Sequence, residues 1–504
     1  MLGARLCGAG LAAVLLATAP GCGAPTAELE LRSLDPFSQR LRPTNPGALF
    51  SFDSGATVLS HDSTGGRFKI WYATDTSDAV PLADDDQSGV PDFVELAADT
   101  FDQVITHYVD TLGFRPPVDD TAVGAADDGG DARFDVYLVD FAGMGDGAFG
   151  LDGCLTGTNQ CAGHMSVEND FAGYGYPSYS QAITILASHE FFHAIQAAYD
   201  AEQSSWWTES TAVWATEMFD PAQPDFEWFI HGYLDLTEQS MDVPPVGPVD
   251  SFSYGLAIWA RFLSERFDPD LIRQIWEGLV DGAGGVADPE PLGVIDALLV
   301  ANHQSSYADA FAEFATWNLY NGRFASSGVG YQGAAGYDEV EIKWYGELPY
   351  QDDLRLFYAS ARYYSADLQE LDQFTVGLAD DAPSEDVRVA VVLERGFDRG
   401  APIWMEQLYT TAPTVIDSSG EDRAIAVVVN VATSGQSQRP TLCLGAPEDV
   451  ATCVDPGGTS DDAGPGSGGD TPPPEDCACR GGAPLTSPLL ALALLLGAAR
   501  RRRR

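Results

Sequence analysis

The order of hydrophobic periods along the chain predicts an α+β fold: a small mixed sheet with a helical region, followed by a β-sandwich-like module. Three observations carry this. Strand-like and helix-like stretches interleave up to about residue 180. Helical periodicity then dominates to about residue 325. From about residue 340 the period changes to two, in "FTVGLA", "VRVAVVLE" and "AIAVVVNVA".

The elements follow in order. "MLGARLCGAGLAAVLLATAPGCGA" has an early arginine, an apolar run and small residues near Cys22, which predicts a secretory signal peptide over 1–22. "APGC" also resembles a bacterial lipobox, which implies lipid attachment at Cys22. Residues 23–65 are Pro-rich and weakly patterned, an extended leader. "FKIWYA" (Phe68–Ala73) alternates and is bulky, hence a strand. Pro91 opens a helix with Val94, Ala97, Ala98, Phe101, Val104, Ile105 and Tyr108 at helical spacing. "RFDVYLVD" (Arg133–Asp140) reads as a second strand between Gly- and Asp-rich loops, and "HMSVEND" (His164–Asp170) as a third. A helix beginning near Ser180 is apolar on most sides and is therefore buried. The helical region runs over 206–325, and the β-sandwich-like module over 340–454. "DPGGTSDDAGPGSGGDTPPPED" (455–476) holds no core-forming residues and forms a flexible stalk.

The last stretch, 477–504, joins Cys477 and Cys479 to an apolar run and terminal arginines. The apolar run of about sixteen residues is short for a membrane span, and the arginines hold the tail end in the cytoplasm. The pattern resembles the Cys–helix–Arg sorting tails of myxobacterial surface proteins, which implies processing at Cys477 or Cys479. A plain C-terminal membrane anchor is the other reading. Both place the protein outside the cytoplasm, at the cell surface or outer membrane, or secreted.

Composition narrows the partners. Acidic residues number 75 against 26 basic, a net charge of −49. Such a surface repels phosphate backbones and excludes nucleic acid as a partner. It suits an exported, calcium-binding protein. Of eight cysteines, Cys7 leaves with the signal and three belong to the sites above. The rest form two short-range pairs, Cys154 with Cys161 and Cys443 with Cys453, which read as disulfides in an oxidising compartment.

Chemistry concentrates in "ASHEFFHAIQAAYD" (Ala187–Asp200). His189 and His193 lie one above the other on a helix, so they can share one metal ion, with Glu190 beside them to act on a water. A buried helix strengthens this, because buried imidazoles and carboxylates need partners. A tetrahedral catalytic zinc needs a third protein ligand. Downstream stands "WWTESTAVWATEMF" (Trp206–Phe219). Together the two helices resemble the gluzincin metallopeptidases, whose second helix often reads W-x-x-E-G-x-A; here Ser210 stands in place of the glycine. The resemblance covers roughly residues 65 to 325. It implies a metallopeptidase domain over 66–325, with an α/β part (66–205) and a helical part (206–325). It also implies zinc on His189, His193 and Glu209, with Glu190 as general base. Glu217 on the same helix is a rival third ligand. Tyr254, with His231 second, is the candidate to stabilise the oxyanion. "VEND" resembles the M-E-N strand of zinc aminopeptidases, which would make Glu168 a binder of the substrate amine.

A second metal site is written in "DDDQSGVPDFVE" (Asp84–Glu95), which fits a twelve-residue calcium loop with Gly89 at its sixth position. The ligands would be Asp84, Asp86, Ser88, the Val90 carbonyl, Asp92 and Glu95. A strand precedes the loop where an EF-hand has a helix, so the expectation is a structural clip. The function expected is an exported zinc metallopeptidase acting on peptide or protein substrates. A non-catalytic surface or adhesion protein on the same scaffold and a zinc aminopeptidase are the alternatives.

Overall fold

The computed structural model describes residues 37–455, except 126, 244–250, 281–288, 327, 370, 381–383, 407 and 410–413. The expected signal peptide, Cys22, the expected stalk from 456 onward, Cys477, Cys479 and the expected sorting tail lie outside the described residues. Mixed α+β architecture is what the chain adopts.

The first sheet has the order β1 (Val58–Asp62), β2 (Phe68–Ala73), β3 (Phe134–Val139), β5 (Cys161–Glu168), β4 (Gly147–Cys154). Its middle strands β2, β3 and β5 run parallel, while β1 and β4 are antiparallel edges. Alternation in β2 explains its seat. Phe68, Ile70 and Tyr72 enter the main core, where Phe68 meets Phe101 and Phe191 at 5.2 and 5.1 Å. Trp71 and Ala73 face a smaller cluster with Phe50, Phe52, Tyr137 and Phe141. Helix α1 (Asp92–Ile105) begins after Pro91, extends through a π-helical turn (Thr106–Thr111), and covers one face; a short α2 (Asp120–Val123) follows.

Two elements depart from the sequence reading. The leader is not merely extended to residue 65, because β1 lies within it, and Phe50 stacks on Phe141 at 3.9 Å. Strand β1 is mostly solvent-facing, so it has little hydrophobic pattern to show. Strand β4, "GAFGLDGC", reads as a glycine-rich loop. Its glycines are needed because neighbours press on the strand: a Cβ at Gly150 would stand 2.8 Å from the Arg40 Cβ. A disulfide between Cys154 and Cys161 closes the β4–β5 hairpin, and one between Cys443 and Cys453 joins the last strand to the last helix.

Helix α3 (Tyr179–Ala197) is capped by Ser178, whose side chain accepts from the Gln181 N–H at 3.2 Å. It packs on α1, on the sheet and on α4 (Ser205–Phe219), so both α3 and α4 are buried around most of their circumference. Helices α5 (Asp225–Leu234), α6 (Ser251–Gly255), α7 (Ala257–Arg266), α8 (Leu271–Gly278), α9 (Pro291–Asn302) and α10 (Tyr307–Trp317) complete this layer around buried Trp206, Trp207, Trp214, Trp259 and Trp276. Among the described residues no helix is long and apolar enough to cross a membrane.

The C-terminal part is two packed antiparallel sheets. One holds β6 (Trp344–Glu347), β8 (Ser360–Asp367), β10 (Val387–Arg395), β11 (Asp398–Arg399), β12 (Ile403–Trp404) and β14 (Arg423–Asn430). The other holds β7 (Tyr350–Asp353), β9 (Gln373–Ala379), β13 (Val415–Asp417) and β15 (Thr441–Gly445), with α11 (Pro447–Val454) beside it. Within the larger sheet β6 is the exception, pairing parallel to β8. The central strands are buried on both faces. Ile425, Val427 and Val429 of β14 join the helical core, while Ala424, Ala426 and Val428 join the sandwich core. Tyr363 of β8 ties the layers, its hydroxyl donating to the Ala315 carbonyl of α10 at 2.9 Å. Burial on both sides is why "AIAVVV" is a continuous apolar run. Each such valine contributes about 1.5–3 kcal/mol by burial, so a charge at Val427 would break the joint between helices and sandwich.

Candidate metal centre

Helix geometry assembles the centre. His189, Glu190 and His193 on α3 present ligand atoms within 4.8 Å of one another, so the group can hold a metal ion. Helix α4 brings Glu209 alongside. Its Oε2 lies 3.3 Å from His189 Nε2 and 3.6 Å from His193 Nε2, and all three side chains are buried. Two imidazole nitrogens thus converge on one carboxylate oxygen. Burial lowers the His189 pKa, which favours its neutral, ligand form.

Hydrogen bonds behind the histidine orient it. Gln196, buried and one turn along from His193, donates through Nε2 to the Thr208 carbonyl at 2.8 Å and to Thr211 Oγ1 at 2.9 Å. Its Oε1 is thereby turned toward His193 Nδ1 at 2.8 Å. That oxygen can only accept, so Nδ1 carries the proton and Nε2 presents its lone pair to the centre when the ring is neutral. This backing through the other ring nitrogen is what ligand histidines show. The sequence reading does not single out Gln196, although its i+3 spacing from His193 is a signal for it.

Glu190 belongs to the same group and is also tied to the sheet. Its Oε2 accepts from the Phe149 N–H on edge strand β4 at 3.1 Å. Burial, with Glu209 and Asp146 adding repulsion, pushes its pKa up to about 7. Tyr254 on α6 stacks over the His189 ring at 5.6 Å and donates its hydroxyl to Glu209; burial and the neighbouring carboxylates raise its pKa well above the usual value. Asp146, held by the Tyr176 hydroxyl at 2.6 Å, is a further carboxylate near His189 that the sequence did not single out.

The other candidates have partners of their own. Glu217, two turns beyond Glu209, faces Arg261 at 3.6 Å, and burial raises its pKa to about 7. His231 is bonded to the Trp228 carbonyl in its own helix. Glu168, at the end of β5, accepts from the Phe141 N–H at 2.9 Å and lies 3.3 Å from the Tyr174 hydroxyl.

In the second loop, the carboxylates of Asp84, Asp86 and Asp92 lie within 4.8 Å of one another. The Ser88 N–H donates to Asp84 and Asp86 at 3.0 and 2.9 Å, and the Asp85 N–H to Asp92 at 3.1 Å. Gly89 has φ +88°, the left-handed conformation its loop position requires. Ser88 Oγ and the Val90 carbonyl are 3.2 Å apart, while Glu95 stands in the first turn of α1, outside the close carboxylate group.

Compared with known proteins, the chain matches no family model and no curated protein.

Proposed function

We propose that the protein is an exported zinc metallopeptidase. The observation that carries the reading is the convergence of His189 Nε2 and His193 Nε2 on Glu209 Oε2, with Glu190 beside the two histidines and bonded to the edge strand. Two imidazoles and a carboxylate suit zinc better than a hard cation. When bound, zinc supplies Lewis acidity toward a water and a peptide carbonyl. Glu190 would take a proton from the attacking water on its carboxylate and pass it to the leaving amine, and a pKa near neutrality suits that exchange. Tyr254, beside His189 and Glu209, would donate its hydroxyl to the carbonyl oxygen as charge develops there. His193 would be kept in its ligand tautomer by Gln196.

Calcium is proposed as a structural ion at Asp84, Asp86 and Asp92, completed by Ser88, the Val90 carbonyl and Glu95. The two disulfides support an oxidising compartment.

The test pairs metal analysis with peptide cleavage in wild type and Glu190→Gln. Zinc should stay bound in the variant, and cleavage should fall roughly a hundred- to ten-thousandfold. Wild-type protein that holds zinc yet cleaves no peptide would leave a binding protein on a peptidase-like scaffold. Loss of zinc from Glu190→Gln would make that residue a ligand and end the mechanism.

A further inference from the structure

We infer that Phe37–Leu41 is an internal occupant of the substrate cleft, a strap that has to leave the outer edge of β4 before a peptide can bind there. This rests on the peptidase reading and adds its regulation.

Backbone pairing places the strap. The Leu151 N–H donates to the Ser38 carbonyl at 3.0 Å, and the Arg40 N–H to the Leu151 carbonyl at 3.2 Å, which makes a parallel bridge between Gln39 and Leu151. Strand β4 is the end strand of its sheet, so these bonds use its outer edge. Two residues earlier on that edge, the Phe149 N–H meets Glu190. The strap therefore lies next in line to the proposed general base. Its first described residue reaches the centre itself. The Phe37 ring stands edge-on to His193 at 6.1 Å and to Phe149 at 6.4 Å. Arg40 lays its aliphatic stem over Gly150, where a Cβ would clash at 2.8 Å, and its charge is felt by Glu190.

An extended peptide binds a sheet by adding a strand to an open edge, with main-chain bonds giving affinity and side-chain pockets giving specificity. The β4 edge is the one beside His193 and Glu190, and the strap makes both kinds of contact there. An intramolecular occupant acts at an effective concentration on the order of mM, enough to exclude a peptide of modest affinity.

The hold is asymmetric. Arg42 is buried with Asp120, Asp135 and Asp152 around its guanidinium, which makes that residue part of the fold. Ahead of it, Gln39 and Leu41 are exposed, and two main-chain bonds to Leu151 join the segment to β4. Arg42 is thus a fixed anchor and Phe37–Leu41 the releasable part.

The experiment uses the full chain loaded with zinc, as wild type, Phe37→Ala, Arg40→Pro and the exposed-site control Val300→Ala on α9. Phe37→Ala removes the ring from His193. Arg40→Pro removes the N–H that bonds Leu151. Two rates are read, cleavage of a fluorogenic peptide library and loss of zinc to excess EDTA, with melting temperatures confirming that each chain is folded. Phe37→Ala and Arg40→Pro should each cleave about tenfold faster than wild type, the factor of one lost contact, and lose zinc faster. Val300→Ala should match wild type in both. Cleavage and zinc loss at wild-type rates in both strap variants would overturn the inference and leave the peptidase reading intact. Slower cleavage would also overturn it, making the strap part of the working site. If no chain cleaves peptide but both variants lose zinc faster, the peptidase reading falls while the strap over the centre stands.

Discussion

Replacing Gln196 by leucine tests the metal centre without touching any proposed ligand. The side chain is fully buried and makes three polar contacts, to His193 Nδ1 at 2.8 Å, to the Thr208 carbonyl at 2.8 Å and to Thr211 Oγ1 at 2.9 Å. Leucine has similar bulk and makes none of them. The His193 Nδ1–H then loses its acceptor, and the ring can turn or change tautomer, so Nε2 no longer faces Glu209 reliably. Loss of such a backing partner lowers metal affinity about 10- to 100-fold, which is about 1.4–2.7 kcal/mol. The buried donor left unpaired costs the fold about 1–3 kcal/mol besides. Zinc affinity is measured by competition with a chromophoric chelator at pH 7.5, and metal-free melting curves separate the loss of stability from the loss of binding. Gln196→Leu should melt lower in both forms, but zinc should also raise its melting temperature less than it raises that of wild type. Unchanged zinc affinity in a folded Gln196→Leu would refute the orienting role, and with it the assignment of the His193 tautomer.

Glu209→Ala should lose stoichiometric zinc while Glu217→Ala keeps it, because Glu217 faces Arg261; metal analysis of both decides, and the reverse result moves the ligand role. Calcium should raise the melting temperature of wild type by mass action and raise that of Asp86→Ala much less; equal rises would remove the loop assignment. Burial pushes the Asp120 carboxyl up to about 6, outweighing the Arg42 guanidinium beside it. A folded pKa raised above the unfolded value of about 3.9 means stability that is full below the lower value and lost as pH rises through the upper. Asp120→Asn cannot ionise, so its melting temperature relative to wild type should be higher at pH 8 than at pH 5; parallel curves would contradict this.

Local pattern was enough for much of this protein. The i,i+4 histidines, the glutamate between them and the W-x-x-E stretch each depend on spacing along one helix, and that spacing is written in the sequence. The alternation of "FKIWYA" and the two close cysteine pairs are equally local, and each is found in the fold. What depended on distant neighbours was not legible. The glycines of β4 look like a loop until Arg40 is seen pressed against Gly150. Arg42 is one basic residue in a proline-rich leader, and only the folded chain brings Asp120, Asp135 and Asp152 around it. Glu209 and Glu217 are both buried acids on one helix, and the packing of α3 and α7 against that helix set one beside the histidines and the other beside Arg261. Phe37 came to rest on His193 because β4 is an edge strand with backbone groups to satisfy. The sequence by itself determined which residues could bind a metal, since ligand chemistry and helical period are local properties. Only the tertiary structure decided which of them meet and what lies over them, because those contacts join residues far apart in the chain.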